Sequence, residues 1–116
     1  MGNERESKTR MTYPTALVLG AVANGYHYGF DMIDATGLAS GTVYPILRRL
    51  ERRGFVRSKW EDEAVATAEG RPQRRYYEIS ATGQTALVAA SQRYAVAART
   101  LLLGPASIET GRPRGR

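Results

Sequence analysis

The spacing of apolar residues changes twice along the chain, and those changes divide it. Residues 1–10 are polar and charged with no apolar period, which predicts a flexible arm and leaves Met11 as a second candidate start. From Pro14 the apolar positions follow a helix: Ala16, Leu17, Gly20 and Ala21 share one face, Pro14 suits a first turn, and Asn24-Gly25 ends the element. A short second helix is expected from about Tyr28 to Thr36, burying Phe30 and Ile33, with Asp31 near its positive end and Gly37 as its exit. A third is expected from about Ser40 to Arg53, with Val43, Ile46, Leu47 and Leu50 inward and Gly54 as its stop. Pro45 lacks a backbone donor, so either Thr42 caps this helix or its first turn is irregular.

After Gly54 the helical period gives way to alternation. Residues 55–60 and 74–79 read as the two strands of a hairpin, and Tyr76 and Tyr77 must then point to opposite faces, one of them into the core. Trp60 is expected to pack the hairpin onto the body, with a ligand site as its second reading. The segment between the strands carries Glu61, Asp62, Glu63, Gly70 and Pro72 and is too polar for a core, which makes it the hairpin tip. Ser80 or Thr82 can cap a last helix that runs to about Leu103 and stops at Gly104-Pro105. Its residues Leu87, Ala90, Tyr94, Ala97 and Leu101 alternate steps of three and four, the spacing of a seam. The Gly-, Pro- and Arg-rich residues 104–116 read as a disordered tail. The fold class predicted is mainly α with a small β-hairpin: a winged helix-turn-helix over 11–80 and a long C-terminal dimerisation helix over 81–103.

Composition narrows the chemistry. A chain of 116 residues suits one domain, and the absence of cysteine excludes disulfides, thiolate zinc sites and cysteine nucleophiles. No apolar run approaches the roughly 20 residues needed to span a bilayer, and residues 1–14 lack the core of a secretion signal, so no membrane partner and a cytoplasmic location are expected. The net charge of +6 favours an anionic partner, of which nucleic acid is the commonest. The 15 Arg against 2 Lys also fit a GC-rich coding bias. Enzyme readings are weak. His27 is the only histidine, expected to be exposed or capping, and makes no ordinary zinc site by itself. Asp31 with Asp34, and Glu61 with Asp62 and Glu63, lie on stretches that read as exposed and solubilising. No phosphate loop follows a strand. The expectation is no catalysis, no metal and no cofactor.

The third helix has a basic outer face, with Arg48, Arg49, Arg52 and Arg53 against Glu51 alone. Ser40, Gly41 and Thr42 at its start offer hydroxyls and free N–H groups to phosphate, and Arg71, Arg74 and Arg75 flank the wing. A helix of this kind fits a major groove, so double-stranded DNA is the expected partner. The alternative is a winged helix that binds protein and never touches DNA.

The stretches Tyr28-Gly29-Phe30-Asp31-Met32-Ile33, Gly41-Thr42-Val43-Tyr44-Pro45-Ile46-Leu47-Arg48-Arg49-Leu50-Glu51, Gly54-Phe55-Val56, Trp60 and Gly70-Arg71-Pro72-Gln73-Arg74-Arg75-Tyr76-Tyr77 together resemble the PadR family of transcriptional regulators, in its shorter subgroup with one C-terminal helix. Two features depart from it: Ala39 stands where a capping hydroxyl is common, and the wing tip is longer and more acidic. The resemblance implies a homodimer on inverted-repeat operators, usually repressing, and relieved in some members by a small aromatic or cationic ligand. It carries over Ser40, Thr42, Tyr44 and Arg48 from the reading helix, with Arg49 beside them, and Arg71, Arg74 and Arg75 from the wing. Tyr44 has two readings, packing on the second helix or contacting phosphate. The seam of Leu87, Ala90, Tyr94, Ala97 and Leu101 is expected to pair two copies, the alternative being that it folds back on the first helix. An effector is expected between the dimer helices and the wings, near Trp60, Tyr76, Tyr77 and Tyr94, unless all four rings are core.

Overall fold

The computed structural model describes residues 11–110, with side chains as far as residue 102; the expected arm at 1–10 and residues 111–116 of the expected tail lie outside them. Helix α1 spans Tyr13–Ala23, capped by Thr12 with Pro14 in its first turn. Its face choice differs from the spacing argument. Thr15, Val18, Leu19, Ala21 and Val22 are buried, while Ala16, Leu17 and Gly20 are half-buried. The helix is apolar almost all round, so its neighbours, not its pattern, select the buried side.

Helix α2, Gly29–Thr36, ends on Gly37 in the left-handed conformation, and α3, Ser40–Arg52, is followed by Gly54, also at positive φ. Met32, not Phe30, is the buried anchor of α2: Phe30 is 43% exposed. The spacing predicts Phe30 and Ile33 as the inward pair; Ile33 is half-buried, and packing against α1 and α3 buries Met32, two positions on from Phe30 and so on a different side of the helix. Helix α3 begins at Ser40 with Ala39 as its cap residue and no side-chain cap, so Thr42 does not cap it. The first turn closes instead through the Thr42 and Val43 N–H groups on the Ala39 carbonyl. Val43, Ile46, Leu47 and Leu50 are buried as expected.

Strands β1 (Val56–Trp60) and β2 (Arg75–Ile79) pair antiparallel, with Val56 opposite Ile79 and Trp60 opposite Arg75. Tyr77 is buried and Tyr76 lies on the outer face, as alternation requires. The tip is not merely a polar loop. Between the strands, α4 (Glu63–Ala68) is capped by Asp62, and it buries Ala66. A third backbone segment joins the hairpin: Tyr77 N–H donates to the His27 carbonyl at 2.8 Å, and Tyr28 bridges to Tyr76. His27 is therefore not a free surface group. Its Nδ1 donates to the Tyr77 carbonyl at 2.8 Å, and its ring stacks on Tyr76 at 4.4 Å.

Helix α5 runs Ala81–Thr110, past the expected stop at Gly104-Pro105. No element reverses the chain there among the described residues, and a single Gly-Pro pair weakens a helix without always ending it. Ser80 caps α5 by accepting from the Gly83 N–H at 3.0 Å and bonds the Gly54 carbonyl at 2.6 Å. Gly83 is needed here, since a side chain would collide with the Phe55 carbonyl.

The seam on α5 divides. Ala90 is buried and Leu87 packs beside Gly20 of α1. Tyr94 donates to the Met11 carbonyl at 2.8 Å and meets the Tyr13 ring edge-on. These three residues fold onto the chain's own first helix, where their spacing predicts pairing of two copies. The far half stays uncovered: Ala97 is exposed, and Leu101 and Leu102 are 84% and 83% exposed.

Candidate nucleic-acid interface

Because its apolar residues face the core, α3 turns Ser40, Gly41, Tyr44, Arg48, Arg49 and Arg52 outward, with Thr42 half-buried. The first N–H groups of a helix have no acceptor within it, so Ser40 and Gly41 present donors at the end where an anion is favoured. The side chains of Arg48, Arg49 and Arg52 take part in none of the ion pairs or hydrogen bonds found among the described residues. Their charge is open to a partner.

Tyr44 sits between its two readings. Its ring lies against Gly29 at the start of α2, where an added Cβ would come within 2.6 Å of Cζ, so the glycine makes room for the ring. The side chain is nevertheless 38% exposed on the outer face. Below it, burial raises the Tyr77 phenol above its ordinary pKa, and Arg75, Glu51, Tyr44 and Arg48 all lie close enough to act on it.

The three wing arginines expected at the interface, Arg71, Arg74 and Arg75, occupy different settings. Arg71 is held by two carboxylates: Nη1 and Nη2 reach both Glu61 oxygens at 2.5 and 3.0 Å, and Nε reaches Glu69 at 2.9 Å. The Glu61 carboxyl, held by Arg71 first and by the Arg74 N–H as well, lies below its ordinary pKa. Glu61 is therefore the bracket of the wing and not a solubilising charge. Arg74 lies over the Phe30 ring at 4.4 Å and farther out over Tyr28 at 5.8 Å. Arg75 donates through Nε to Ser58 Oγ at 2.9 Å and covers the Trp60 ring at 4.8 Å.

Trp60 does not pack the wing onto the body; it is 58% exposed at the end of β1. The aromatic cleft expected of an effector site is not assembled within the chain. Trp60 sits on Arg75, Tyr76 on His27, Tyr77 in the core and Tyr94 on Met11, because strand alternation and the fold-back of α5 send the four rings in different directions. Sequence reasoning overlooked Glu51, Ser58 and Phe30. The strand alternation that sets Trp60 opposite Arg75 was the signal that could have found the Ser58 contact.

Among the described residues no group of side chains could hold a metal ion and no helix is long and apolar enough to cross a membrane. No curated protein matches the chain. Solved structures do. A protein from Streptococcus mutans is 24% identical, covers 81% of this chain and 89% of its own, and superposes with a TM-score of 0.66. A PadR family transcription regulator from Clostridium difficile is 22% identical, covers 80% of this chain and 100% of its own, with a TM-score of 0.65. MepR, a transcription regulator of the Staphylococcus aureus multidrug efflux pump MepA, is 16% identical, covers 97% of this chain and 78% of its own, with a TM-score of 0.62. At these identities the likeness establishes the winged-helix fold. The family model of the PadR-like transcriptional regulators matches residues 18–89, from within α1 through α2, α3 and the hairpin to the start of α5. The chain belongs to the PadR-like family of transcriptional regulators, whose members regulate transcription and are not enzymes.

Proposed function

We propose that this regulator binds an inverted-repeat operator as a homodimer and represses the genes beside it, with α3 in the major groove. The observation that carries the reading is the outer face of α3, where the side chains of Arg48, Arg49 and Arg52 have no ion-pair or hydrogen-bond partner among the described residues, on the same helix whose first N–H groups, those of Ser40 and Gly41, are open. Arg48 lies nearest the start of the helix among the arginines, where side chains meet base edges; Arg49 and Arg52 suit phosphates. Ser40, Thr42 and Tyr44 complete the reading surface. Arg75 and Arg74 contact the backbone from the wing, while Arg71 braces it.

The dimer rests on the uncovered far half of α5. Leu101 and Leu102 expose apolar surface that the described residues do not cover, and a second copy would cover it. A soluble regulator of this kind works in the cytoplasm.

The test is selection from a random-sequence duplex pool with the full chain. Enrichment of an inverted repeat with half-sites about one helical turn apart supports the reading. Absence of binding to any duplex at low salt would favour a protein-interaction module instead. Leu101→Asp with Leu102→Asp should give a monomer by light scattering that loses the two-site footprint. A dimer that survives both changes must be built elsewhere.

A further inference from the structure

Arg75 is fixed from two elements at once. Ser58 Oγ accepts from Arg75 Nε at 2.9 Å and donates to Glu51 Oε2 at 2.7 Å. The same carboxylate oxygen lies 3.8 Å from Arg75 Nη2, and the guanidinium covers the Trp60 ring at 4.8 Å. Glu51 belongs to α3, Ser58 and Trp60 to β1, and Arg75 to β2. Their positions follow from the register, which sets Ser58 opposite Tyr77 and Trp60 opposite Arg75 on the side of the hairpin that faces α3.

The acid at the centre of this chain of contacts has no other evident use. A carboxylate on a helix that meets phosphates opposes binding by simple charge. As an ion pair it contributes little, because both partners are more than a third exposed and 3.8 Å apart. Holding another side chain is what its geometry does well. Resting on the DNA-reading surface described above, we propose that Glu51 and Ser58 are positioning residues: they hold Arg75 against α3 so that reading helix and wing meet the duplex as one body, with Nη1 of Arg75 presented to a phosphate. A guanidinium fixed before it meets the duplex loses less side-chain freedom on binding than one that must be ordered by the DNA.

The experiment uses the duplex selected from the random pool by the unaltered chain, and compares Glu51→Gln, Ser58→Ala, Ser58→Thr, Arg75→Ala and the pair Ser58→Ala with Arg75→Ala. Ser58→Ala changes no charge, so its expected loss of about threefold to tenfold in affinity reports positioning alone. Glu51→Gln should weaken binding in the same range although it removes a repulsive charge. Ser58→Thr, which keeps the hydroxyl and suits a strand, should restore near-normal affinity. In the Arg75→Ala background, Ser58→Ala should add nothing further. A reading without DNA accompanies these: Trp60 is the only tryptophan, and its emission should shift in Ser58→Ala and Glu51→Gln as the guanidinium leaves its ring. Tighter binding by Glu51→Gln, or a full further loss from Ser58→Ala without Arg75, overturns the proposal and leaves the DNA reading intact. Failure of the unaltered chain to bind any duplex in a salt-sensitive way overturns the DNA reading and this proposal together.

Discussion

The arginines of α3 and those of the wing are the same residue in the same protein, yet they are set in opposite ways. Arg48, Arg49 and Arg52 stand on a helix whose other face is driven into the core by Val43, Ile46, Leu47 and Leu50, and none of their side chains has an ion-pair or hydrogen-bond partner among the described residues. Three of the four wing arginines have a protein group against them: Arg71 two carboxylates, Arg74 the rings of Phe30 and Tyr28, Arg75 a serine, a carboxylate and an indole; Arg57 on β1 is exposed, with no ion pair or side-chain hydrogen bond among the described residues. The helix supplies its own rigidity through backbone bonds and burial. A two-stranded hairpin is marginal on its own and needs side chains to stiffen it. Basic residues therefore do two jobs here, and a count of positive charge does not separate them.

The largest expected consequence concerns Arg48. Arg48→Ala should cost roughly 1 to 3 kcal/mol of binding to the selected duplex and relax preference at one position of each half-site, if it reaches a base edge. Repeating the pool selection with the variant checks the second point. An unchanged consensus and affinity would move the reading contact elsewhere on α3.

A smaller effect, confined to the wing, should follow acidification. The Glu61 carboxyl is held below its ordinary value of 4.5, first by its hydrogen bond to Arg71. A carboxylate with a depressed native pKa contributes stability that is present above the unfolded value and is lost as pH falls through the native one. Hydrogen exchange at the Arg74 N–H, which Glu61 accepts at 2.8 Å, should therefore stay slow down to about pH 4.5 and lose protection below it, before the core opens. Arg71→Ala should abolish that dependence. If protection at Arg74 fell only together with that of the core, the clamp would have no local role.

Which parts of this were legible beforehand follows from how local each signal is. The ends of α2 and α3 were readable because Gly37 and Gly54 take a positive φ that few other residues adopt. The inward face of α3 and the split between Tyr76 and Tyr77 were readable because each depends only on the period of its own element. The inward face of α2 misleads: Phe30 and Ile33 fit a stripe of spacing three, but the neighbours on α1 and α3 bury Met32, which lies on a different side from Phe30. Helix α4 was hidden by the acids around it, although Asp62 before an Ala-rich run and Gly70 after it formed a start and a stop. The role of Arg71 depends on a glutamate ten positions earlier in sequence, and nothing in a charge pattern tells a carboxylate partner from a phosphate one. The α5 seam showed the same limit: Leu87, Ala90 and Tyr94 read as an interface, and they are one, but with α1 of the same chain.

Salt dependence of binding to the selected duplex tests the contrast between the two sets of arginines most directly. Removing a single phosphate-binding charge should lower the slope of log affinity against log salt by about one. Arg49→Ala and Arg52→Ala should each lower it by about that amount. Arg71→Ala, whose charge is already matched by Glu61 and Glu69, should leave the slope as it was even where affinity falls. An Arg71→Ala slope reduced as far as that of Arg49→Ala, or an Arg49→Ala slope equal to that of the unaltered chain, would contradict the account.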